Sequence, residues 1–314
     1  MRRVLRTSDP DIVAEGPARP PVTIPRLVEM KAGREPIVMV TAYDYPSARA
    51  AERAGVDMVL VGDSGAQVVL GHGSTVEVTT DEMLVLASAV RRGVRTAFVV
   101  CDLPFGSTEV SDEQAVTTAL RFVKEAGADA VKLEGGGPAR LSRIRALVSA
   151  GIPVVGHVGL TPQTAVSLGG LRAQGRTAAS AAQVVRDALA VQDAGACALV
   201  VEAVPADIVA VFLPGTRIPV IGIGAGPADG QVLVLHDLLG ITEGPTAAFV
   251  KRYAAIGDGM RAGIAAYADE VRRSVFPGPE HGYAAGADAL PAAEREFARW
   301  KAEDDDRHRE TAEG

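Results

Sequence analysis

The chain has 314 residues, a net charge of −7 and 47% hydrophobic residues, with only 4% aromatic. That length fits one large α/β domain or two small ones; the acidic balance argues against nucleic acid or anionic membrane as a partner. Only Cys101 and Cys197 are present, each in an apolar run, so two buried thiols in a reduced, cytoplasmic setting are expected rather than a disulfide framework.

Arginines stand at 2, 3 and 6, but Asp9 and Asp11 follow where a signal peptide would be apolar. Residues 1–22, ending P-A-R-P-P-V, therefore read as a flexible lead-in. Short Val/Ile-rich runs then alternate with longer helical stretches. The runs predict strands over 36–41, 58–61, 97–100, 130–133, 153–156, 198–201 and 219–223, with a weaker eighth at L-L-G-I, 238–241. Between them lie helices such as the one after Ser111, a capping residue, which ends before Gly127. Residues beyond about 250 read as further helices that pack on the barrel or on a neighbouring subunit. No apolar run reaches the ~18 residues of a membrane span.

Strand alternating with helix through crossovers implies a parallel sheet, and about eight such units match a (β/α)₈ TIM barrel better than an open doubly wound sheet. An open sheet would need a nucleotide fingerprint after its first strand, and T-A-Y-D-Y-P-S-A lacks it. The expected organisation is a lead-in over 1–22, a barrel with C-terminal helices over 23–284, and a helical extension with a charged tail over 285–314. In that extension Leu290, Phe297 and Trp300 fall at helical spacing.

Barrel enzymes place their chemistry at the C-terminal ends of the strands. Those ends carry Asp63, Asp102, Lys132, Glu134, His157 and Glu202. In A-V-K-L-E, Lys132 and Glu134 share one strand face and Val131 and Leu133 take the other. Burying unpaired charges costs several kcal/mol, so the pair must meet water, opposite charges or a metal. Asp63, Asp102 and Glu134 lie on consecutive strands and with Lys132 sum to minus two, which calls for a divalent cation. Oxygen ligands without Cys or paired His favour Mg²⁺ or a similarly hard ion. Lys132 is then free to grip a substrate carboxylate.

Glu202 stands across the barrel mouth with no partner assigned by the pattern. It is either a general base or one half of a salt bridge to an arginine. His157 is a candidate for ligand contact, with a satisfied structural role as the alternative. His72 and His236 read as structural. G-I-G-A-G-P, 222–227, is either an anion cradle or a tight turn.

The ordered motifs V-T-A-Y-D-Y-P-S-A, V-G-D-S, D-L-P-F-G-S, V-K-L-E-G-G, G-H-V-G-L-T-P-Q, L-G-G-L-R-A-Q-G-R-T, V-E-A-V-P and I-G-I-G-A-G resemble the ketopantoate hydroxymethyltransferase family over about residues 23–284. The resemblance implies a barrel of the phosphoenolpyruvate/pyruvate superfamily acting in pantothenate synthesis. It implies transfer of a hydroxymethyl group from 5,10-methylenetetrahydrofolate, the co-substrate, to 3-methyl-2-oxobutanoate in a homo-oligomer, often a decamer. Carried over by motif, Asp63 and Asp102 bind Mg²⁺ and lie against the substrate, and Glu134 completes the metal's surroundings. Ser64 and Lys132 hold the keto acid, and Glu202 accepts the proton. The chain departs from the family at Gly65-Ala66-Gln67, where relatives usually carry Leu-Gly-Met, and in a glycine loop one residue shorter. Two other functions are compatible with the strand-end residues: a superfamily relative with lyase or aldol activity on another 2-oxo acid, and a non-catalytic barrel that binds ligand.

Overall fold

The computed structural model describes residues 19–167 and 169–312. Eight parallel strands close into a barrel in chain order: β1 (Ile37–Thr41), β2 (Met58–Val61), β3 (Phe98–Asp102), β4 (Ala130–Glu134), β5 (Val154–Gly159), β6 (Ala198–Glu202), β7 (Val220–Ile223) and β8 (Gly230–Leu233). β8 pairs with β1 to complete the ring.

The period of two divides each strand between two cores. Met39, Met58, Leu60, Val100, Val155 and Val200 fill the barrel interior. Val40, Val59, Val99, Val131, Leu133 and Val201 pack outward beneath the helices. In β4 this alternation sends Val131 and Leu133 outward, so Lys132 and Glu134 face the interior near the mouth, as the sequence implied. Helix Ile24–Ala32 adds Leu27 and Met30 to the inner core.

The predicted helix after β3 runs Asp112–Ala126. The Ser111 hydroxyl accepts from Gln114 N, and Gly127 supplies the left-handed cap with φ 70°. Thr79 with Glu82 and Thr177 with Ser180 form capping boxes on the helices after β2 and β5.

Three expectations change. The eighth strand is Gly230–Leu233 and not 238–241, which begins at the last residue of the short helix Leu235–Leu238. Nor does a helix join β7 to β8. Ile221 pairs with Gly230, so the chain falls back only two residues along β7, and the loop 224–229 suffices. Gly230 permits close packing against both neighbours, because a Cβ there would lie 2.4 Å from Ile37 O of β1 and 2.8 Å from Ile221 Cδ1 of β7. Finally, residues 19–22 are tied down. Arg19 donates to Thr96 Oγ1, Gly55 O and Val56 O, and Val22 N donates to Thr96 O. The rest of the expected lead-in, 1–18, lies outside the described residues.

By contacts the described residues divide into two compact units, the first ending at Gly257 and the second starting at Asp258. The first contains the barrel. The second contains nearly all of helix Ile256–Arg272 together with helix Ala289–Ala312. Within it Tyr267 packs edge-on against Phe276, and Phe297 stacks on Trp300. Cys101 and Cys197 are both free; Cys101 is buried, whereas Cys197 is only partly so. No described helix is long and apolar enough to cross a membrane.

Candidate active site

A cavity of about 570 Å³ opens at the C-terminal ends of the strands, and Asp63, Ser64, Asp102, Lys132, Glu134, His157 and Glu202 all line it. The structure thus gathers every residue singled out at the strand ends. Its walls are otherwise largely apolar, from Leu60, Leu160, Val200, Ile223 and Phe249. Gln67 and Arg172 also line it.

On one wall, Lys132 Nζ lies 3.2 Å from Asp102 Oδ1, 3.8 Å from Glu134 Oε1 and 3.1 Å from His157 Nδ1. Asp63 N donates to Asp102 Oδ2 at 2.9 Å. His157 Nδ1 is 3.2 Å from Glu134 Oε1, and on the other edge of the ring Nε2 is 3.2 Å from Glu202 Oε2. Glu202 is therefore paired, with a histidine rather than an arginine. The last contact lies at ion-pair distance without hydrogen-bond alignment, since Nε2 has no aligned acceptor. His157 is both a structural bridge and a wall of the cavity.

Burial and local charge set the ionisation. Burial raises the Asp63 carboxyl well above the usual range, and the charges of Asp102 and Glu134 add to it. Asp102 is also raised by burial, against the pull of Lys132. Burial opposes the charged form of Glu134, but His157, Lys132 and Gln163 N–H outweigh it and hold its pKa below the ordinary value. Lys132 is desolvated yet raised by its carboxylate neighbours. Burial and Lys132 lower His157, and its two glutamates more than offset them, raising it to about 9.

Among the described residues, no three His, Cys, Asp or Glu side chains form a ready metal-ligand group. The expected three-carboxylate set is therefore not preformed, because Lys132 and His157 occupy the space beside Glu134. A smaller set fits a hard ion. Asp63 and Asp102 adjoin each other on the cavity wall and burial works against their negative charge, while Asp102 Oδ1, although without an aligned hydrogen bond, already lies 3.2 Å from Lys132 Nζ. Mg²⁺ is often held by one or two carboxylates, with water and substrate oxygens completing its shell.

Ser64 is placed by Tyr43, whose hydroxyl lies 2.8 Å from Ser64 Oγ in a partly buried contact. Gln163, which the strand-end reading passed over, donates Nε2 to Asp63 Oδ2 and Leu103 O, and its backbone N to Glu134 Oε2. Uncharged and in a loop, it gave no signal beyond its place in the motif T-P-Q.

The glycine loop 222–227 resolves toward packing. Gly224 has φ +60°, and a Cβ there would sit 2.4 Å from the Phe249 ring. His72 faces Glu77 and Glu82, and His236 packs on Tyr43.

A model of the ketopantoate hydroxymethyltransferase family matches residues 21–279. The chain belongs to this family. Ketopantoate hydroxymethyltransferases similar to it include the 3-methyl-2-oxobutanoate hydroxymethyltransferase of Moorella thermoacetica, 54% identical over 263 residues (83% of this chain, 97% of the relative). The mitochondrial 3-methyl-2-oxobutanoate hydroxymethyltransferase 1 of Arabidopsis thaliana is 50% identical over 266 residues (83% and 77%). Membership makes the protein an enzyme, a transferase. Among solved structures, a phosphonopyruvate hydrolase complexed with oxalate and Mg²⁺ superposes with a TM-score of 0.56 at 13% identity (88% of this chain, 96% of that one). A 2,3-dimethylmalate lyase of the PEP mutase/isocitrate lyase superfamily gives 0.52 at 16% identity (87% and 98%). At such identities the likeness shows the fold alone, the closed (β/α)₈ barrel expected from the sequence.

Proposed function

We propose that the protein transfers a hydroxymethyl group from 5,10-methylenetetrahydrofolate to 3-methyl-2-oxobutanoate, giving 2-dehydropantoate for pantothenate synthesis, with Mg²⁺ held by Asp63 and Asp102. One observation carries this reading: Glu202 on β6, held by His157, shares a single cavity with the Asp63, Asp102, Lys132 and Glu134 cluster on β2 to β4. The names of the most similar relatives give the same keto acid.

A hard divalent ion at Asp63 and Asp102 would polarise the 2-oxo acid and acidify its C3–H bond. Lys132 and Ser64 bind and orient the keto acid through its oxygens, while the apolar walls receive its branched alkyl end. Glu202 accepts the C3 proton on its carboxylate. His157 positions Glu202 and joins it to Glu134, which in turn keeps Lys132 in place. The carbon nucleophile so formed bonds to the methylene carbon of the donor; both C–N bonds of that carbon break, water supplies the hydroxyl oxygen and one of its hydrogens, and tetrahydrofolate leaves with a proton on each freed nitrogen, one from Glu202 and one from the water. Arg172 and Gln67 line the cavity where the larger donor enters.

We also infer that the protein is a homo-oligomer. Met260, Ile264, Tyr267 and Val271 recur at spacings of four, three and four along helix Ile256–Arg272 and are all exposed. An apolar stripe of this kind calls for a partner, and a second copy of the chain supplies one.

Purified protein given Mg²⁺, the keto acid and the methylene folate should form 2-dehydropantoate. Folded protein that forms none under these conditions rejects the assignment.

A further inference from the structure

We propose that Gln163 is a positioning residue for cation binding, its amide orienting the Asp63 carboxylate without neutralising it. The inference rests on the reading above, in which Asp63 helps to hold a divalent ion.

Gln163 lies in the 3₁₀ turn Pro162–Thr164 that follows β5, and it is buried. Its side-chain nitrogen donates to Asp63 Oδ2 and to Leu103 O, both at 2.9 Å, and its backbone N–H donates to Glu134 Oε2 at 3.0 Å. Both amide hydrogens are thus committed to oxygens that only accept. The reverse orientation would set three oxygens against one another. The residue therefore ties together groups just after β2 and β3 and at the end of β4 from a turn after β5. Leu103 directly follows Asp102, so the same amide steadies the backbone next to the second carboxylate.

The chemistry of the donor matters as much as its place. A lysine or arginine hydrogen-bonded to Asp63 would add a positive charge at the carboxylate and repel a cation. A neutral amide satisfies one carboxylate oxygen and adds no positive charge. Asp63 Oδ1 accepts no hydrogen bond from the described residues, and Asp63 lines the cavity. The bond from Gln163 N–H to Glu134 Oε2 leaves Oε1 to Lys132 and His157, which keeps Glu134 in the supporting layer.

The test is titration of metal-free protein with Mg²⁺ by calorimetry, without substrate. Gln163→Met keeps the length and removes the donor, and its Mg²⁺ dissociation constant should rise about tenfold or more, while saturating Mg²⁺ restores most of kcat. Gln163→Asn, whose amide is drawn back by one methylene, should behave alike and serves if the first variant does not fold. A lowered melting temperature with parental Mg²⁺ affinity in a folded variant would make Gln163 merely structural and overturn the proposal. Parent protein that binds no Mg²⁺ overturns the metal reading itself. A crystal of the unaltered protein with Mg²⁺ and oxalate gives an answer independent of any variant. There Gln163 Nε2 should remain on Asp63 Oδ2 with the ion on Oδ1; an ion on Oδ2 with the amide displaced contradicts the inference.

Discussion

His157 holds Nε2 3.2 Å from Oε2 of Glu202, and this contact joins the two sides of the cavity, because Nδ1 of the same ring lies against Glu134. A ring wedged between two carboxylates fixes both. His157→Gln should lower kcat about 10- to 100-fold, as loss of outer-shell partners typically does, with a much smaller change in KM for the keto acid. Steady-state kinetics at saturating Mg²⁺ distinguishes this from loss of substrate binding, which would raise KM and spare kcat.

Lys132 is the buried cation among Asp102, Glu134 and Asp63. Lys132→Met leaves those acids uncompensated and should cost about 3–5 kcal/mol of stability. Added Mg²⁺ should restore part of the loss, since an ion binding only the folded state stabilises it. Thermal unfolding with and without Mg²⁺ measures both effects.

Acid stability has a separate origin at the opposite end of the barrel. Burial would raise Glu52, but the Thr96 hydroxyl and the Thr96 and Ala97 backbone N–H groups donate to it and hold its pKa below the ordinary value. A carboxyl lowered in the folded state adds stability above its unfolded pKa of about 4.3 and loses it as pH falls through the folded value. Glu52→Gln should therefore weaken the protein at neutral pH and flatten the fall in stability below about pH 4, as followed by urea midpoints across pH.

The exposed stripe on helix Ile256–Arg272 gives the oligomer a definite test. Ile264→Glu places a charge in its middle and should shift the protein to a smaller assembly in light scattering after size exclusion. An unchanged mass would remove this face from the interface.

Seven strands are legible because each is a compact run of Val, Ile, Leu or Met bounded by charge, Gly or Pro. β8 is not, since Gly230-Gln231-Val232-Leu233 exposes Gln231, while nearby Leu238 and Leu239 mimic a strand. The strand-end rule finds Asp63, Asp102, Lys132, Glu134, His157 and Glu202 because position along a parallel strand sets depth in the barrel, but it passes over Arg172 and Asp237, which reach the cavity from loops and a short helix. It does not find who touches whom. His157 meets Glu134 because the two are partners in the β4–β5 register, and it reaches Glu202 because β6 is offset so that Glu202 pairs with Gly159. Gln163 reaches Asp63 across 100 positions of sequence. Lys132 was legible as an inward charge, but its place within the carboxylate cluster depends on the closed ring.

The most direct test of the account is exchange of the C3 proton of 3-methyl-2-oxobutanoate in deuterated water, followed by NMR with Mg²⁺ present and the folate absent. The parent protein should exchange it, and Glu202→Gln should slow exchange by about 10²- to 10⁴-fold while still binding the keto acid. A Glu202→Gln protein that exchanges the proton at the parental rate would contradict the assignment of Glu202 as the base.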